Sequence, residues 1–198
     1  MKLAVAVLAA TLLAGCADDA SQPPPVAQAP LDFGYLTKLR LNVGTVSVDD
    51  SYVPQGPGEH VEGLVSPSPA DLLRLMARER VLPGGSTGTA RVTIQDASIL
   101  QGPDRLDGSL ALRLDVTSGD GSRTGFAEAR VARSQSLGDA DARATADKLV
   151  RRMTADMNVE FEYQVRRALH DQLQTTATAA PEGPPVQQQD LPPPVPGS

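Results

Sequence analysis

The stretch from Gly108 to Ser134 constrains the fold most. Leu110, Leu112, Leu114 and Val116 alternate with Ala111, Arg113 and Asp115, and beyond Ser118-Gly119-Asp120-Gly121 the apolar positions Ala127, Ala129 and Val131 alternate in the same way. Period-two alternation sends one set of side chains to each face of a strand. A short Gly/Asp connection joins two such strands as a hairpin. The chain therefore holds an antiparallel sheet with one buried face, and something apolar has to cover that face.

The cover is written downstream. From Asp139 to Gln174, Ala142, Ala146, Val150, Met153, Met157, Phe161, Val165 and Leu169 keep close to the helical period, which is one apolar stripe on one long helix. Asp139 and Asp141 suit its positive end, and Ser136 is placed to cap it. Asp147 with Arg151 and Glu162 with Arg166 are i,i+4 pairs for its wet side. At about 1.5 Å per residue such a helix spans roughly 50 Å, whereas four strands are roughly 15–20 Å wide. The excess should bend, overhang or meet something else. Val159 and Tyr163 fall opposite Phe161, where the sheet cannot reach them. Two readings stay open: Leu31, Phe33 and Tyr35 fold back over this second patch, or it is a partner surface.

Upstream, Leu39, Leu41 and Val43 alternate inside a strand over 36–48, and the phase flips to Val46 and Val48 across Gly44, which predicts a bulge there. Residues 49–66 read as a long loop. Glu59, His60 and Glu62 within it raise a metal reading, but one His and two acids on a loop define no geometry, so a solvated loop is the expectation. Ser68-Pro69-Ala70-Asp71 starts a helix with a capping box. Leu72, Leu75 and Met76 are its buried stripe, Arg74 and Arg78 lie outside it, and Pro83-Gly84-Gly85 is its stop. A further strand over 89–99 changes phase across Asp96, which calls for a second bulge or bend. The order is βαβββα. It predicts an α+β two-layer sandwich: a four-stranded, mainly antiparallel sheet with a short helix and one long C-terminal helix on one face.

Composition narrows the chemistry. A net charge of −6 makes a poor match for nucleic-acid phosphates or anionic lipid. There is no Trp, and aromatics are 3% of the chain, so base- or sugar-stacking clefts are not expected. The single cysteine permits no disulfide within the chain. Neither His60 nor His170 stands beside a plausible nucleophile. The reading is of a protein that is not an enzyme, with no catalytic, cofactor-binding or metal residues and no cofactor.

That one cysteine closes the run Leu13-Ala14-Gly15-Cys16. Lys2 and the apolar residues 3–13 before it have the form of a secretory signal, too short to cross a bilayer, which takes about 20 apolar residues. The four residues resemble the lipobox of bacterial lipoproteins. The resemblance implies cleavage between Gly15 and Cys16, a diacylglyceryl thioether on Cys16 and usually acylation of the new amino terminus. It places the protein in the cell envelope, lipid-anchored and facing the periplasm. Ala17 follows the cysteine where the enteric inner-membrane retention signal has Asp, so the resemblance favours the outer membrane over the inner.

The expected organisation is a signal peptide over 1–15, a lipidated cysteine and Pro-rich tether over 16–35, an α+β domain over 36–174, and a Pro/Gln-rich tail over 175–198 that composition makes disordered. In outline the domain resembles small α+β envelope lipoproteins of Gram-negative bacteria, such as the auxiliary lipoproteins of lipid-transporting ABC systems and the lipopolysaccharide-assembly lipoprotein. No motif residue of theirs matches a position here. The expected function is a lipid-anchored, non-catalytic binding or assembly module, with Val159 and Tyr163 as the possible surface for an envelope protein partner. The alternative is a carrier of lipid or another hydrophobic ligand, or a transport-system auxiliary subunit, with room for a pocket left by Ala127 and Ala129.

Overall fold

The computed structural model describes residues 31–138 and 141–174. The signal peptide, Gly15, Cys16, most of the tether, Asp139 and the tail lie outside them. In chain order the elements are β1 (Leu39–Leu41), β2 (Thr45–Asp49), β3 (Glu59–His60), α1 (Pro69–Arg80), β4 (Val81–Pro83), β5 (Thr89–Gln101), β6 (Arg105–Thr117), β7 (Thr124–Ser136) and α2 (Ala142–Ala168). Single 3-10 turns occupy Glu62–Leu64 and His170–Gln172. The compact unit Leu31–Ser198 holds the whole described core, which runs from Phe33 to Leu169. The core thus begins ahead of Leu36.

The fold is α+β, with the helices packed on one face of an open sheet. The sheet is five-stranded and mixed, in the order β2-β5-β6-β7 with β3 also on β5, rather than four-stranded. Its centre is the meander predicted from alternation: β5, β6 and β7 are antiparallel and 13 residues each. The phase change in β5 is a bulge between Ile94 and Asp96. β2, however, pairs with β5 in parallel. A parallel pair needs a crossover, and α1 lies within it. Ser68 caps α1 by accepting from the Asp71 amide, and its hydroxyl donates to the Asp71 carboxylate. Leu72, Leu73, Met76 and Ala77 go into the core, while Leu75 is at the surface. The helix stops at Arg80, not at Pro83, because Val81–Pro83 is already strand β4.

The bulge expected at Gly44 is replaced by something larger. β1 and β4 form a separate two-stranded parallel sheet, and the register offset grows by two between Leu39↔Val81 and Thr45↔Thr89. The extra residues lie on the partner strand, within 84–88. Gly44 is where the two backbones touch: a Cβ there would sit 2.7 Å from the Ser86 carbonyl oxygen. Its amide donates to Thr87 O at 2.9 Å.

α2 runs antiparallel along β7. Arg152 bonds Gln135 and Arg133 pairs with Asp156 toward the helix start, and Leu169 reaches Gly125 just past its end. Its 27 residues make roughly 40 Å, and 13 strand residues make roughly 45 Å. Helix and strands are thus matched in length, and the expected overhang does not arise, since the helix lies along the strands rather than across them. The approach is close: a Cβ on Gly108 would be 2.5 Å from Met153 Cε, and Ala127 and Ala129 are buried on the same face. The N-cap is Asp141, accepting from Ala144 N at 3.0 Å, while Ser136 is still strand. Asp147 pairs with Arg151 and Glu162 with Arg166, as the spacing predicted. The helix ends at Ala168, short of Gln174. The chain then turns, and Leu173 bridges to Leu41 while Gln174 N donates to Arg40 O.

Candidate functional site

The stripe on α2 is consumed by the core: Ala146, Val150, Met153, Met157, Phe161 and Val165 are all buried. What remains apolar on the opposite side is Val159, 73% exposed, and Tyr163, 55% exposed. The segment that could have covered them does something else. Phe33 is buried in the main core, with its amide donating to Glu79, and Tyr35 is itself 79% exposed. The fold-back reading therefore fails, because Phe33 is committed to the core near the end of α1.

The last residue of α1 is a buried cation, facing α2, that the sequence did not betray. Arg80 is fully buried. Its guanidinium donates to Asn158 O at 2.9 Å and to Thr37 O at 3.4 Å, and pairs with Glu162. Glu162 also accepts from Arg166 at 2.8 Å. Burial pushes the Glu162 carboxyl up, but Arg166 and Arg80 outweigh it and leave it below its ordinary value. The planar fork suits this role, since one side chain satisfies two carbonyls and a carboxylate. Read along the sequence, Arg80 is an ordinary basic residue in the last turn of a helix.

A second polar cluster sits where β5 lacks a strand neighbour. β2 ends opposite Thr93, and β3 covers β5 only at Leu100 and Gln101. In the gap, Ala97 N donates to the Tyr52 hydroxyl at 3.0 Å, and Ile99 N donates to Glu62 Oε1 at 2.9 Å. Val61 N completes the edge on Ile99 O. Side chains thus finish the ladder where backbone is missing. Glu62 is only 9% exposed, and His60 Nδ1 lies 2.8 Å from the same Oε1. The loop is strapped down here, and the expectation of a solvated loop is wrong for His60 and Glu62. The hydrogen bond to Glu62 raises the His60 pKa, with burial opposing. Burial raises that of Tyr52. Glu59 is exposed, and among the described residues no group of three His, Cys, Asp or Glu could hold a metal.

The far face of the sheet is polar. Arg113 pairs with Asp115 and Glu128 and lies 4.2 Å from the centre of the Phe126 ring. Gln95 links Glu128 to Arg130. These residues satisfy one another and present no catalytic grouping.

No protein-family model matches the chain, and no curated protein matches it.

Proposed function

We propose that this is a lipid-anchored lipoprotein of a bacterial envelope, with acyl chains on Cys16 and its domain facing the periplasm, most simply from the outer membrane. We further propose that the domain is a non-catalytic binding or assembly module. The observation that carries the binding role is the exposed pair Val159 and Tyr163, uncovered on a helix whose other large apolar residues are in the core. The run Leu13-Ala14-Gly15-Cys16 supports the anchor. Two or three acyl chains hold a protein on a bilayer where one chain binds only marginally.

Labelling cells with a radioactive fatty acid tests the anchor. The wild-type chain should take up label, and Cys16→Ser should take up none, because the thiolate is the nucleophile for the lipid. Equal label in both ends the anchor reading. A photo-crosslinking residue at position 163 tests the module: it should give a discrete adduct, absent from the same residue at Arg91 on the opposite face. Matching adduct patterns at the two positions would remove the partner surface.

A further inference from the structure

The exposed ridge of α2 and the segment leading into β1 share one surface. Arg166 and Arg167 follow Tyr163 by three and four positions, so they flank its ring on the helix. Arg166 and His170 line a depression of about 370 Å³ together with Lys38, Arg40 and Gln174. The charges do not cancel. Glu162 is shared between Arg80 and Arg166, which leaves that trio positive. Lys38, Arg40 and Arg167 have no ion-pair partner among the described residues. Asp171, 3.1 Å from His170, Glu160 one turn before Tyr163, and Asp32 ahead of β1 are the opposing charges nearby, but none of them lines the depression. A chain of net charge −6 thus gathers cations around one depression.

We infer that this basic depression, beside the Val159–Tyr163 patch, is a membrane-contact site taking anionic phospholipid headgroups. Arg and Lys pair with phosphate, and anionic lipid attracts local basic clusters even on an acidic protein. The residues leading into β1 supply Lys38 and Arg40 to this depression, and Gln174 borders it on the other side. The lipoprotein reading supplies only the reason a membrane is near. An anchor on Cys16 holds the domain close without orienting it, and the charge pattern would turn this ridge toward the lipid and the acidic remainder away.

The test uses the unit Leu31–Ser198, which contains the whole described core and lacks Cys16, so its result is independent of lipidation. It is sedimented with vesicles of phosphatidylcholine alone or with about one-third phosphatidylglycerol, at about 0.05 M and about 0.5 M salt. Binding should appear only with the anionic vesicles and fall at the higher salt. Lys38→Glu combined with Arg40→Glu and Arg167→Glu should weaken it at least tenfold. Arg130→Glu on the far sheet face should leave it unchanged. Circular dichroism confirms that each variant is folded. No anionic preference, or undiminished binding by the folded triple variant, overturns the inference. So does binding that appears only when residues 175–198 are deleted, which would make the ridge a seat for that acidic segment.

Discussion

Phe161 and Tyr163 stand two positions apart on α2 in opposite surroundings. Phe161 is fully buried, so Phe161→Ala should cost about 3–5 kcal/mol in urea unfolding, the usual range for a core phenylalanine. Tyr163 touches mainly solvent, and Tyr163→Ala should stay within about 1 kcal/mol of wild type. His60 carries a pH effect whose sign is fixed by its raised pKa. The folded state binds the His60 proton more tightly than the unfolded chain does. The extra stability is therefore full below the free-imidazole value of about 6.5 and is lost as pH rises through the folded value. Urea midpoints of wild type and His60→Gln should differ at pH 5.5 and converge by pH 8.5. An unchanged difference across that range would mean that the His60–Glu62 contact does not depend on protonation.

At the scale of elements, Gly44 and its partner segment are the least forgiving junction. A methyl group there meets backbone at Ser86, not a mobile side-chain tip, so Gly44→Ala should destabilise by about 1–3 kcal/mol. Gly108→Ala should cost less, because it meets the flexible end of Met153, Cε at 2.5 Å and Sδ at 2.6 Å, rather than backbone. Thermal melts of the two variants give the order. The same junction shows what sequence could and could not disclose. Strands β5 to β7, the capping box of α1 and the stripe of α2 were legible, because periodicity and capping are local. The phase flip at Gly44 was visible, but a bulge and a change of sheet leave the same flip, and only the distant segment 81–88 distinguishes them. The stripe of α2 was legible, but the sequence reading overran its end by six residues, and its direction along the strands was not legible. The strap through Tyr52 and Glu62 was hidden for the same reason: its partners, Ala97 and Ile99, are backbone amides left open by where two other strands end. Of the candidate surface, Val159 and Tyr163 could be read from helical phase, but Lys38 and Arg40 join it only through the fold.

At the scale of the whole molecule, the core closes with the last described residues. Leu169 is buried, Leu173 bridges to Leu41, and the Gln174 side chain reaches Gly84 O. A chain ending at Gln174 should match the full chain in urea unfolding. One ending at Ala168 should lose about 2–5 kcal/mol for Leu169 alone, and a midpoint unchanged by that cut would separate the final turn from the core. The bridge between Leu41 and Leu173 also bears on the order of events as the chain emerges. Hairpins β5–β6 and β6–β7 can close as soon as each is exposed, since their partners are neighbours. β1 cannot gain its last neighbour until almost the whole domain has followed it, and contacts between residues so far apart in sequence form late. The small β1–β4 sheet should therefore be the final part to lock, leaving the start of the domain loosely held until its end arrives.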